Sequence, residues 1–207
     1  MKLTKKKVFV TALALSLVAI LSVGTLAWFQ AADQVDNYFQ VTTGGIGGGA
    51  DFSLDLFEHK VVDGALTAEE VEENTYKEIV PGATLPKDPT FRNDGEYDQW
   101  VRVKITLDEY AKWEAALGSK YEFQNCFKNF NAAWKLDETT KGTGTLVFYY
   151  QNKLTPGQES KLFDAFMVPG EFTVENIPTE FKLTIVGEAI QADNTGATAE
   201  EAFTLWK

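Results

Sequence analysis

One cysteine, Cys126, and one histidine, His59, are all that 207 residues contain of these two types. A lone cysteine excludes an intramolecular disulfide, so stability in an oxidising compartment has to come from packing. Phe123, Phe127 and Phe130 surround Cys126 in the sequence and point to a buried thiol, with a reactive or dimer-forming thiol as the weaker reading. A lone histidine excludes the paired-histidine zinc helix of a metalloprotease, and it leaves one imidazole for Cys126 and every serine to share as base. No G-x-S-x-G elbow is present either. His59 itself, in Phe57-Glu58-His59-Lys60, reads as an exposed histidine beside a lysine. No residue is therefore assigned a catalytic, cofactor-binding or metal-ligating role, and the chain reads as a non-enzyme. Positive charge is also scarce, with 19 Lys and Arg against 30 Asp and Glu and a net charge of −11. Phosphate backbones and anionic membrane surfaces would repel such a chain, which argues against nucleic acid as a partner.

Charge of either sign is missing from residues 8–29, directly after Lys2, Lys5, Lys6 and Lys7. A basic start, an apolar run and small residues before a cut are the three parts of a secretory signal peptide, here residues 1–27. Thr25 and Ala27 occupy the third and last positions before a cleavage between Ala27 and Trp28. Ala31 and Ala32 offer later alternatives, and an uncleaved signal anchor is the competing reading of a stretch just long enough to span a bilayer. Removal of residues 1–27 leaves 180 residues and deepens the net charge to −15, since that segment holds four lysines and no acid. The expected location is secreted, in an extracellular matrix or on a cell surface, with no membrane contact after cleavage.

What is abundant is apolar surface: 44% of residues are hydrophobic and 13% aromatic, enough for one sizeable core. Alternation at a period of two predicts a strand over residues 35–41, with Val35, Phe39 and Val41 on one face. The glycine-rich residues 44–50 follow as a flexible hinge between an N-terminal segment, 28–43, and a single domain, 51–207. Strands are expected over 52–56, around Thr90-Phe91-Arg92, over 100–107 and 145–150, at Phe166-Met167-Val168 and over 181–188. The acidic segment 66–76 reads as a surface loop or one short helix. Asp108 is a plausible cap for a helix over 109–117 ended by Gly118, and residues 125–134 suggest further helical turns. Val80-Pro81-Gly82 and Thr155-Pro156-Gly157 suggest two related β corners, and the tail from residue 198 a short helix or final strand. Together these predict an all-β chain, a jelly-roll-like antiparallel β-sandwich with short helical insertions.

Among 30 acids some must lie close together, so Asp33 with Asp36, Asp51 with Asp55 and Glu69 to Glu73 read as solvated charge rather than glycosidase pairs. Calcium is the only metal the composition suits, through Asn93-Asp94-Gly95-Glu96 and Asp98, although EF-hand spacing is absent and a plain acidic turn is the simpler reading. Trp100, Trp113, Trp134 and Trp206 offer either a carbohydrate platform or core anchors.

The lysine-rich start ending Gly24-Thr25-Leu26-Ala27-Trp28-Phe29, the segment Val35-Asp36-Asn37-Tyr38-Phe39-Gln40-Val41, Pro81-Gly82, Phe91-Arg92-Asn93-Asp94-Gly95 and Glu188-Ala189-Ile190-Gln191-Ala192-Asp193 resemble, in that order, the TasA/camelysin (CalY) family. These are exported proteins of Gram-positive bacteria. The resemblance implies a jelly-roll sandwich, cleavage by a SipW-type signal peptidase and self-association into biofilm matrix fibres, with a companion matrix protein as a further partner. The glycine run and the acidic segment depart from the family pattern. Camelysin-like members also carry a metalloendopeptidase label, which here would have to depend on His59. The assembly expected from the residues is β-strand addition, in which Val35, Phe39 and Val41 insert into a neighbour; the competing arrangements are a strand folded back onto its own sandwich, giving a monomer, and a monomeric adhesion or ligand-binding module.

Overall fold

Twelve strands carry the chain in a computed structural model that describes residues 30–35, 52–118, 121–173, 175–178 and 180–205. In chain order they are β1 (Gln30–Val35), β2 (Leu54–Val62), β3 (Ala65–Val71), β4 (Thr84–Pro86), β5 (Thr90–Asn93), β6 (Gln99–Leu107), β7 (Phe127–Lys128), β8 (Trp134–Leu136), β9 (Thr145–Tyr150), β10 (Glu159–Lys161), β11 (Ala165–Met167) and β12 (Leu183–Gln191). They form three sheets, ordered β1-β12-β6-β9-β8, β10-β5-β2-β3 and β4-β11-β7. All strand pairs are antiparallel. Two short α-helices, α1 (Tyr110–Leu117) and α2 (Ala199–Phe203), and two 3-10 turns, Phe123–Cys126 and Glu138–Thr140, complete the described elements. The chain is an all-β, jelly-roll-like antiparallel sandwich with short helical insertions.

Period-two patterning explains the two long central strands. Val101, Val103, Ile105 and Leu107 of β6 all point into the core, and β12 contributes Leu183, Ile185 and Ala189 beside them. The facing sheet supplies Leu54, Leu56 and Phe91. Each such side chain, fully buried, contributes roughly 1.5–3 kcal/mol of transfer free energy. The sheets meet most closely at Gly187: a Cβ there would overlap the Phe91 ring and lie 3.2 Å from Leu54. Under α1 the core turns aromatic, with Trp113 in edge contact with Phe172 at 5.0 Å and Phe181 at 4.9 Å.

Several expectations change in position or type. The first described strand is Gln30–Val35, so Val35 ends it and residues 36–41, with Phe39 and Val41, lie outside the described residues. The cleavage pair Ala27 and Trp28 and the hinge 44–50 lie outside them too. Residues 65–71 of the acidic segment form an edge strand rather than a loop or helix. Asp63 and Gly64, both at positive φ (51° and 77°), make the tight turn that folds this segment back on β2, and cross-strand pairing overrides its helix propensity. Asp108 does not cap α1; its carboxylate accepts the backbone N–H of Lys182, and Glu109 enters the helix at φ 59° with no side-chain cap. The helical turns expected over 125–134 reduce to one 3-10 turn, Phe123–Cys126, followed by β7 and β8. The two proline corners are alike: Ala83 N–H donates to Val80 O and Gln158 N–H to Thr155 O, with Gly82 and Gly157 at φ 78° and 73°.

Candidate functional site

β12 is the last described strand, and its two flanks differ. β6 pairs with one flank along all nine residues, Leu183 to Gln191. Among the described residues the other flank holds β1, the first described strand, in the register Gln30↔Ile190, Ala32↔Glu188, Gln34↔Val186 and Val35↔Ile185. Among the described residues β1 therefore lies at the edge of its sheet, with β12 as its pairing partner and β2 close by, and Val35, alone among the three predicted assembly anchors, lies in the described part of it.

The β12 flank that pairs with β1 is supported on both faces. On its inner face Ile185 and Ala189 are fully buried on either side of Gly187. On its outer face the Glu188 carboxylate, itself buried, accepts Arg102 Nε and, at 2.7 Å, Lys104 Nζ, both from β6. The Arg102 guanidinium also lies 4.4 Å over the Phe203 ring of α2. Trp100, Ile190, Ala199 and Phe203 form a second small core there, and Thr198 caps α2 by accepting the Glu201 N–H. Two cations against one buried carboxylate remove the penalty that an unpaired charge would impose next to β1. A strand of suitable sequence can add to such a flank through main-chain hydrogen bonds, whichever molecule supplies it.

The remaining candidates are placed differently. His59 is partly buried rather than exposed: its backbone N–H and ring Nδ1 both engage Asp88, at 2.9 and 2.7 Å. Burial pushes the Cys126 thiol up to about 11, and Tyr121 is its hydrogen-bonding neighbour, so the buried-thiol expectation describes its surroundings. Asn93 is fully buried and used up by the turn, its oxygen accepting Gly95 N–H and the Gln99 amide while its nitrogen donates to Tyr97 O and Leu154 O. Asp94 faces Arg92, which also engages Asp55, Glu70 and Glu159. Burial raises Asp55, with the Arg92 charge opposing. Trp100, Trp113 and Trp134 are buried, so these three indoles are core anchors and do not form an exposed carbohydrate platform; Trp206 lies outside the described residues. Among the described residues no group of three or more His, Cys, Asp or Glu side chains is arranged to hold a metal ion, and no helix is long and apolar enough to cross a membrane.

Sequence reasoning passed over Glu58, Lys87 and Asn74, three polar residues that the fold buries together. One signal was present: the inward period Leu54, Leu56 continues onto Glu58, placing a carboxylate where a core residue belongs. No protein-family model, curated protein or solved structure matches the chain.

Proposed function

We propose that this is an exported structural protein, a matrix fibre subunit of TasA/camelysin type, that assembles when β1 of one copy takes the β12 flank of the next. The observation that carries this reading is the pairing of the first described strand with the last, at a sheet edge, with β12 as its sole pairing partner among the described residues. Exchange of an identical strand between copies conserves every main-chain pair and so costs little. The connection to β2, residues 36–53, reaches roughly 60 Å when extended, farther than the roughly 40 Å width of a domain of this size. Head-to-tail exchange does not close on itself, and the product is a filament.

The test is electron microscopy of concentrated protein beginning at Trp28 beside the same protein beginning at Thr42. Filaments from the longer form alone support assembly through β1. Filaments of the same kind from both forms, or single particles of monomer size from both, overturn it.

A further inference from the structure

Glu58, Lys87 and Asn74 meet in the interior, at 0%, 5% and 5% exposure. One oxygen of the Glu58 carboxylate accepts Lys87 Nζ, and the other accepts Asn74 Nδ2 at 3.2 Å. A single carboxylate therefore bridges a primary amine and a carboxamide, out of reach of water.

The amide is also held on its other side. The pairing of β2 with β3 slips between His59 and Val61, a bulge that leaves backbone groups of both residues turned from the ladder. Asn74 fills the gap: its Nδ2 donates to His59 O at 2.9 Å, and its Oδ1 accepts Val61 N–H at 2.7 Å. The Val61 N–H polarises the side-chain carbonyl just as an oxyanion donor does. Lys87 arrives on the short connection between β4 and β5, where its backbone N–H donates to Asp164 O at 3.1 Å. Asp88, the next residue, grips His59, and the Tyr76 hydroxyl donates to Pro86 O; both close the surroundings of the trio.

We propose that Lys87 and Asn74 are joined in the mature protein by an isopeptide bond from Nζ to Cγ, formed autocatalytically with Glu58 as proton shuttle. The Lys87 ammonium passes a proton to Glu58 within their hydrogen bond, and the freed Nζ lone pair attacks Asn74 Cγ. The carbonyl electron pair moves onto Oδ1, where Val61 N–H receives it. Glu58 returns its proton to Nδ2 and takes a second one from Nζ. The carbonyl then re-forms, the Cγ–Nδ2 bond breaks and ammonia leaves. Five amine and amide hydrogens enter; one stays on the new amide, three leave with ammonia and one stays on Glu58. No oxidant, metal or nucleotide is required, and the shared carboxylate holds the amine and the amide side by side.

The bond ties the residues just after β3 to the entry of β5 and so clamps the exposed β2–β3 arm to the sandwich. In a chain with one cysteine it takes the place of a disulfide. It forms in monomer and filament alike, so its fate is separable from that of the assembly reading.

Denaturing mass spectrometry of the purified protein, followed by peptide mapping, tests for the bond directly. The expected result is an intact mass below the sequence mass by one ammonia, with a branched peptide joining the Lys87 and Asn74 segments. Glu58→Gln and Lys87→Met should each restore the full sequence mass. Full mass in the unsubstituted protein, with Lys87 and Asn74 recovered in separate peptides, overturns the proposal, as does an ammonia loss mapped elsewhere. If the variants do not fold, the mass and peptide map of the unsubstituted protein are sufficient on their own.

Discussion

Gly187 is the residue on which the closeness of the two sheets depends. It is needed for space rather than for an unusual backbone, because Phe91 and Leu54 fill the volume that a Cβ would take. Gly187→Ala should cost about 1–3 kcal/mol through overpacking and lower the melting temperature by roughly 2–10 °C, read by thermal unfolding. An unchanged melting temperature would show that the sheets can part there freely. The sequence marks this glycine poorly, since it sits within a regular alternating strand and nothing local demands it. Glu58 is the opposite case: its place on an apolar face is legible in the sequence, but its partners come from positions 16 and 29 residues away.

At the level of elements, the proposed assembly turns on β1, which either stays on its own β12 or crosses to that of another copy. Gln34 and Val186 are register partners on β1 and β12. In the double variant Gln34→Cys, Val186→Cys, directly opposed residues are close enough for a disulfide. Oxidised as a dilute monomer, this variant should remain monomeric at concentrations where its reduced form assembles, as read by sedimentation. Equal assembly of both forms would rule out β1 exchange. The alternation that predicts β6, β9 and β12 survives into the structure because each has apolar partners on its inner face. The same reasoning fails for residues 65–71, whose side chains are largely exposed, because β3 exists through backbone pairing to β2 across the Asp63-Gly64 turn. Period carries no information about a strand that buries neither face.

For the molecule as a whole, charge sets the conditions of association. If residues 1–27 are removed, as proposed, the net charge is −15, and copies then repel one another over roughly 10 Å at 0.1 M salt and about three times farther at 0.01 M. Filament growth, followed by light scattering, should therefore accelerate as salt rises from about 0.01 M to about 0.1 M. A rate that falls with salt would mean that attraction between charges, not strand pairing, drives assembly. By itself the sequence determined the all-β class, the positions of the central strands, the acidity and the dearth of catalytic histidine and cysteine, because composition and period are local quantities. Only the tertiary structure decided which strand flanks β12, which glycine the sheets close on and which lysine and asparagine share Glu58. Those are contacts between residues far apart in the chain, and cross-strand register, not spacing in sequence, brings them together.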